Sequence, residues 1–351
     1  MNIEPYLRLM AERFASDLYL TTDAPIKLRV QGKLLSVGRT PIDESMIREA
    51  ALGIMTERLI NQFENRHQAE FPMEIVGVGR YRVNVFLERG RVAMAIRLIP
   101  IKVPELDTLG LPAVLKELVL VPRGLVLVVG ATGAGKSTTL ASLIDYRNTQ
   151  QADHILTIED PIEYVYENRL SIINQREIGN DVLSYADALR SALRATPDVL
   201  LIGEIRDSET MSAAIEMAAT GHLTLATLHT SNAYQTLERI LNLYPEPARR
   251  LVLTDLAATM RAIIAQRLVP NVDAKLVAAV EVLLNTPHIA DLIHKGELGI
   301  LREAMESSHE IGMQTFDTAL YQLYRNGIID LKTGLNYADS RTNLESKIRF
   351  G

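Results

Sequence analysis

The stretch Gly130–Thr139 reads GATGAGKSTT and contains G-x-x-x-x-G-K-S from Gly130 through Ser137. Glycines at this spacing let the backbone N–H groups of Gly130, Ala131, Thr132, Gly133, Ala134 and Gly135 face a chain of phosphates. The start of a following helix adds its positive dipole end. Lys136 is then placed to reach the β- and γ-phosphates of a nucleoside triphosphate, Ser137 to ligate Mg²⁺, and Thr138 to complete the nucleotide-binding run. Such a motif carries weight only between a strand and a helix. The flanking LVLVV (125–129) and STTLASLIDYR supply both.

Three further apolar runs also end in polar residues: ILTI (155–158) before EDPIEY, VLLI (199–202) before GEIRD, and TLATL (224–228) before HTSN. Continuous apolar strands alternating with helices predict a parallel sheet covered on both faces. Ligands bind such sheets at the carboxyl ends of the strands. The third run would ordinarily be followed by an aspartate that holds magnesium through water, but Gly203 stands there and Glu204 follows. Glu204 is placed to orient and polarise the attacking water. Glu159 and Asp160 could replace the missing metal ligand, and Glu163 could share the water-positioning role. His229, at the end of the fourth strand, could donate a hydrogen bond to the γ-phosphate that vanishes on hydrolysis; His222 precedes that strand. Each has a plainer alternative: a helix cap for Glu204 or Asp160, a structural ring for the histidines.

Ahead of these motifs the pattern differs. Apolar residues from Ile3 to Phe14 recur at helical spacing, and strands are predicted at DLYLT, Lys27–Val30 and Leu34–Val37, with Gly32 turning between the last two. Helices follow over Asp43–Leu52, capped by Asp43, and Glu57–Asn65. RYRVNVFLE and RVAMAIRLI then alternate strictly, with Tyr81, Val83, Val85 and Leu87 on one face and Val92, Met94, Ile96 and Leu98 on the corresponding face of the next strand. The alternation puts Arg80, Arg82 and Asn84 on the opposite face, with Arg97 outward beside them, which is a solvated face unless something else uses it. The proline-rich stretch 100–112 reads as a linker. The expected organisation is an α+β domain over 1–99, the linker, an α/β core over 113–270, and a mainly helical part from Asn271 to the end. Amphipathic segments fall around Phe316–Tyr324 and Asp330–Ala338.

Of the 351 residues, 47% are hydrophobic and 23% charged, an ordinary globular balance. With 37 basic and 43 acidic residues the net charge is -6, and no basic stripe with interleaved aromatics occurs, so nucleic acid is not an expected partner. The absence of cysteine removes disulfides, thiolate zinc sites and thiol catalysis. The first twenty residues lack the uninterrupted apolar core of a secretory signal, and no run approaches the ~18 apolar residues of a membrane span. A cytoplasmic protein is expected, docked at most on a membrane complex.

Taken in order, GATGAGKSTTLASLID, ILTIEDPIEYV, PDVLLIGEIRD and TGHLTLATLHT resemble the Walker A region, aspartate box, unusual Walker B and histidine box of the type IV pilus retraction ATPases, the PilT and PilU group of the secretion ATPase superfamily, and NQREIG between them also fits. The resemblance covers nearly the whole chain. It implies a PAS-like N-terminal domain, a RecA-like ATPase domain, a homohexameric ring that binds ATP and Mg²⁺ between domains, and a cytoplasmic place at the inner-membrane pilus platform protein. It also implies arginines donated from the first domain to the phosphates, and Arg80, Arg82 and Arg97 match those positions best. Where PilT-type members typically read Ala-Ile-Arg-Asn-Leu-Ile, this chain has Ala290 in place of the arginine. That departure, GMQTFDTALYQLY and the extension past Tyr337 look more like the accessory PilU branch, which implies a partner retraction ATPase. Extension ATPases of the superfamily usually carry a four-cysteine zinc motif, which zero cysteines exclude.

Overall fold

The computed structural model describes residues 1–100 and 102–350; position 101, inside the expected linker, lies outside the described residues. Two compact units form, Met1–Lys102 with Glu163–Val165, and Val103–Ile162 with Tyr166–Gly351.

The first unit runs α1 (Glu4–Glu12), β1 (Ala15–Leu20), β2 (Lys27–Val30), β3 (Lys33–Ser36), α2 (Glu44–Ile54), α3 (Glu57–Arg66), β4 (Gln68–Ile75), β5 (Gly79–Glu88) and β6 (Arg91–Ile99). Its antiparallel sheet has the order β3-β2-β1-β6-β5-β4. The alternating strands bury Tyr81, Val83, Val85, Val92, Met94 and Ile96 against the helices, as their period of two requires. Buried Tyr81 donates its hydroxyl to the Leu7 carbonyl at 2.8 Å, tying the sheet to α1. Asp43 caps α2 by accepting the Met46 N–H. One expectation needs correction, and one strand was unread. The first helix stops at Glu12, and Phe14, with φ of 51° and 89% exposed, belongs to the reversal into β1 and not to the buried stripe. The strand β4 was not foreseen because Pro72 interrupts it; lacking an N–H, proline is tolerated here because β4 is the sheet edge.

The second unit opens with a 3₁₀ turn (Leu106–Leu109) and α4 (Val114–Leu120). It continues through β7 (Gly124–Val129), α5 (Lys136–Gln150), β8 (His154–Glu159), β9 (Ile172–Glu177), α6 (Tyr185–Ala195), β10 (Val199–Ile202), α7 (Ser208–Ala219) and β11 (Leu223–Leu228). Then come α8 (Ala233–Asn242), α9 (Glu246–Thr259), β12 (Met260–Pro270), β13 (Leu276–Leu284), α10 (Pro287–Lys295), α11 (Leu301–Glu306), α12 (Phe316–Arg325), α13 (Leu331–Tyr337) and α14 (Arg341–Phe350). The sheet order is β13-β12-β7-β11-β10-β8-β9, parallel throughout except for β13, which runs antiparallel to β12. Every residue of β7, β10 and β11 is buried. Val126, Val128, Leu201 and Leu225 pack with Leu140, Leu143 and Ile144 of α5 on one face. Leu125, Leu127, Val129 and Leu200 meet α6 to α9 on the other. At roughly 1.5–3 kcal/mol for each fully buried branched side chain, this layer dominates the unit's stability. The four strands expected from their apolar runs are present, and they end at one edge. The α/β unit with a smaller α+β unit before it is the fold class the sequence implies.

The expectation of a mainly helical chain from Asn271 is wrong for Leu276–Leu284, which forms β13. LVAAVEVLL is covered on both faces, so it shows no period of two, and an apolar run of this length cannot be told from a buried helix by pattern alone. The same reason hid β12. Within the expected linker, a 3₁₀ turn forms because Leu106 is buried, and the Pro104 carbonyl accepts the Ser142 hydroxyl at 2.7 Å.

Glu281 lies in the middle of β13, 5% exposed, and accepts the Ala233 N–H at the start of α8 at 2.8 Å. Burial, reinforced by Asp339, pushes its carboxyl up to about 7, against the pull of the Ala233 and Phe316 N–H groups and of Arg267. The folded chain therefore keeps a proton that the unfolded chain has released between about pH 4.5 and 7, and stability falls as pH rises through that window. Glu281→Gln, which keeps the accepting carbonyl, is expected to flatten this part of the dependence. The measurement is the thermal midpoint of both proteins at about pH 5 and pH 8, where the variant's difference should be the smaller.

Candidate nucleotide-binding and catalytic site

The glycine loop follows β7 without a gap. Gly130, Gly133 and Gly135 adopt φ of 155°, 80° and 87°, a region that other residues rarely enter. Space is as restrictive as angle at two of them: a Cβ on Gly130 would lie 2.6 Å from the Gln266 carbonyl oxygen, and one on Gly135 2.7 Å from Gln266 Nε2. Gln266, 3% exposed on the neighbouring strand β12, accepts the Thr139 hydroxyl at 2.7 Å and so braces the loop against the first turn of α5. Sequence reasoning missed Gln266, because β12 itself was not recognised. Ser137 and Thr138 stand half-buried in that first turn, and Ala131, Thr132 and Gly133 are exposed along the loop.

Lys136 opens α5. Its ammonium group, 7% exposed with the rest of the residue, donates to the carbonyls of Gly130 at 2.9 Å and Ala131 at 3.1 Å. From there a chain of polar groups crosses the sheet edge. Lys136 Nζ is 3.5 Å from His229 Nδ1, and His229 Nε2 is 3.4 Å from Glu204 Oε2. Glu204 pairs with Arg206, whose guanidinium also lies 3.7 Å from Asp160 Oδ2. The carboxyl ends of β7, β11, β10 and β8 thus bring Lys136, His229, Glu204 and Asp160 into one continuous network. Arg206 joins it through the pairs it makes with both carboxylates. Glu204 is 17% exposed in its side chain and His229 50%, so the glutamate is sheltered and the imidazole open. The plainer reading of Glu204 and Asp160 as helix caps does not hold: Asp207 caps α7, and the first helix after Asp160 is α6, capped by Ser184.

Other candidates fall outside this network. His222 sits at the amino end of β11, the opposite edge, where its ring contacts the Met217 carbonyl and the Thr220 hydroxyl and serves the turn. Glu159, 9% exposed, accepts on Oε1 from Thr157 at 2.7 Å and Gln175 at 3.2 Å, a tethered carboxylate facing β9. Glu163 belongs to the segment Glu163–Val165, counted with the first unit.

Gly203, where an aspartate would ordinarily help hold a metal, sits at a crowded point. Its N–H donates to the Ile158 carbonyl at 2.8 Å, and a Cβ there would meet Glu159 Cα at 3.2 Å and the Ile158 oxygen at 3.3 Å. Among the described residues no three of His, Cys, Asp or Glu form a cage for a metal ion. Ser137 and the carboxylates of this edge form an all-oxygen donor set, the kind that suits Mg²⁺ completed by phosphate oxygens and waters.

In the first unit, Arg80, Arg82 and Arg97 share one sheet face, with Arg82 directly opposite Arg97 in the β5–β6 register. The face is tempered by acids: Arg82 pairs with Glu70 of β4, and Arg97 donates to Asp17 of β1 at 2.9 Å. Asp17, Glu70, Arg82 and Arg97, with Tyr19 and Asn84, line a cavity of about 290 Å³. The acid partner Glu70 was missed along with its strand.

Beside the glycine loop lies a second opening of about 300 Å³, lined by Ala131–Ala134, Ser231, Gln266, Arg267, Leu268 and Tyr337. Arg267 pairs with Asp339 at 2.6 Å and donates to the Tyr337 carbonyl at 3.0 Å, which draws the C-terminal segment to the loop. No spacing in the sequence signals this contact.

A glycine loop between a buried parallel strand and a helix, with lysine, histidine and glutamate at the same sheet edge, defines a P-loop nucleotide-hydrolase site. The Type II/IV secretion system protein family matches residues 2–316, and this chain belongs to that family. It is 47% identical over its full length to the type IV pilus ATPase PilU of Pseudomonas aeruginosa, covering 92% of that protein. To the type IV pilus retraction ATPase PilT of the same organism it is 39% identical, over 94% of this chain and 96% of PilT. Its fold matches a crystal structure of the pilus retraction motor PilT with bound ADP at a TM-score of 0.92 and 40% identity, covering 98% and 99% of the two chains. The ATPase DotB of Legionella pneumophila matches at 0.82 and 31% identity, over 94% of this chain and 92% of DotB. No helix among the described residues is long and apolar enough to cross a membrane.

If Gln266 fixes the loop as described, Gly135→Ala should push the loop off its brace and weaken binding of a fluorescent ATP analogue by about tenfold or more, a cost of about 1.4 kcal/mol. Equilibrium titration at constant Mg²⁺ checks this.

Proposed function

We propose that the chain binds ATP with Mg²⁺ at the glycine loop and hydrolyses it to drive retraction of type IV pili. The observation that carries this reading is the meeting of Lys136, His229 and Glu204 at the mouth of the loop, because it gathers a phosphate anchor, a phosphate-sensing donor and a water-orienting carboxylate. Similarity along the whole chain to PilU and PilT supports the mechanical use of that chemistry.

In this reading Lys136 and the N–H groups of Gly130–Thr138 take the phosphates, Ser137 ligates Mg²⁺, and Glu159 or Asp160 supports the metal's water shell. Glu204 polarises the attacking water, with Glu163 as an auxiliary carboxylate. Glu204 must exchange its pairing with Arg206 to do so, and a hydrogen bond donated by His229 to the γ-phosphate, lost on hydrolysis, reports whether that phosphate is present. Arg82 and Arg97, with Arg80 beside them, would leave Glu70 and Asp17 for the phosphoryl group when the two units close. Contacts made in only one state provide the differential binding that a motor needs. A homohexamer acting with a partner retraction ATPase on the inner-membrane platform protein, from the cytoplasmic side, completes the proposal. Nucleic acid has no part in it.

A second reading is a ring subunit that binds ATP but hydrolyses it slowly and regulates a partner. Gly203 and the Glu204–Arg206 pair favour it, since one removes a metal ligand and the other occupies the glutamate.

Steady-state hydrolysis, with oligomeric mass measured alongside and with or without a partner ATPase, separates the two: rapid turnover by the chain alone supports the motor, and turnover only with a partner supports the regulator. Lys136→Ala should abolish nucleotide-dependent activity. Glu204→Gln should retain ATP binding and lose about 10²-fold or more in turnover, as expected for removal of the water-polarising group. Near-normal turnover in Glu204→Gln rejects that role. Arg80→Ala, Arg82→Ala and Arg97→Ala should lower turnover more than affinity; three normal variants would leave these arginines as a solvated surface.

A further inference from the structure

Tyr185 is the first residue of α6, directly after the capping Ser184. Its hydroxyl comes to the sheet edge from the side and occupies the space that a side chain at position 203 would enter: a Cβ on Gly203 would lie 3.0 Å from the phenolic oxygen. The hydroxyl oxygen is buried and completes no hydrogen bond among the described residues. Burial first, and then the nearby carboxylates of Asp160 and Glu204, drive the phenol well above its ordinary value, against a weaker opposing pull from the Glu204 backbone N–H, which approaches the hydroxyl without completing a hydrogen bond. It remains a neutral group able both to donate and to accept.

A buried hydroxyl with its proton unused costs roughly 1–3 kcal/mol, and such a group in a native site calls for an explanation. Packing does not supply one, since a phenylalanine would fill the same volume without the penalty. Location does. The residue after a strand such as β10 ordinarily carries the carboxylate that orders water around a bound triphosphate. In this chain that position has no side chain and only tight space for one, and a phenol stands beside it.

We propose that Tyr185 is a positioning residue for hydrolysis, its hydroxyl accepting a hydrogen bond from a water at the phosphate edge and donating one to a neighbouring carboxylate, in the role left open by Gly203. The phenol adds no charge, so it orders the water without adding to the negative charge of Asp160 and Glu204. The inference rests on the ATP-hydrolysis reading above.

The test is Tyr185→Phe in the full chain, compared with the wild type and Lys136→Ala for ATP hydrolysis, affinity for a non-hydrolysable ATP analogue, and thermal midpoint. The expected result is a fall in kcat of about tenfold, the loss of one hydrogen bond, with KM and analogue affinity within about twofold and a melting temperature equal to or above that of the wild type. A purely structural role would lower the melting temperature and leave the split between kcat and KM unmoved. Turnover within about twofold of the wild type overturns the proposal, and so does a lower melting temperature, because the hydroxyl would then have a partner in the folded chain. A wild type that neither binds the analogue nor hydrolyses ATP, or that is matched by Lys136→Ala, overturns the ATP reading itself and with it the proposal.

Discussion

The site depends on a steric constraint: the loop after β7 must run with three glycines in the left-handed region while lying against Gln266 of β12. A backbone can present several N–H groups to one anion only in such a curl, and only a chain without side chains at the two closest points can lie so near its neighbour. The brace fixes where α5 begins and therefore where Lys136 stands. Every other group in the network is positioned relative to that ammonium by a strand of the same sheet. Burial on both faces of β7, β10 and β11 gives these strands no freedom to slip, so their carboxyl ends meet at one level.

The charges along that edge are mutually restrained. Lys136 rests on two carbonyls of its own loop, Glu204 rests on Arg206, and Arg206 reaches Asp160. Each contact neutralises or solvates a group that, in the proposed function, a triphosphate and its metal engage, so that binding there is an exchange of partners and not a simple addition. In the first unit Arg82 and Arg97 are likewise held, by Glu70 and Asp17. An assembly built from such exchanges can favour one arrangement with nucleotide and another without, the requirement for converting hydrolysis into movement. Gly203 and Tyr185 extend the pattern: the chain gives up a carboxylate at a crowded point and retains a neutral hydroxyl beside it, accepting a stability cost at the place where chemistry is proposed to occur.

The loop, the four strands and the polar residues at their ends were legible in the sequence because glycine spacing, an apolar run and a following helix each report a local constraint. The arginine face was legible too, since strict alternation along β5 and β6 fixes which residues share a side. What pattern alone left unread is the partner of each group. Gln266 lies 127 residues beyond the Thr139 it bonds, on a strand whose covered faces erase its period. Glu70 lies on an edge strand disguised by Pro72. Tyr185 reads as an ordinary first residue of a helix until the sheet brings Gly203 beneath it. Phe14 and β13 failed for the opposite reason, because local periodicity was followed where a chain reversal and a second buried face had overridden it.

The most direct measurement is a structure of the chain with Mg²⁺ and a non-hydrolysable ATP analogue. The account predicts the phosphates inside the Gly130–Gly135 curl, the terminal phosphate within hydrogen-bond distance of Lys136 Nζ, and the Glu204 carboxylate released from Arg206 to face it. Phosphates bound outside that curl, or a terminal phosphate in place with Glu204 still held by Arg206 and out of reach, would contradict it.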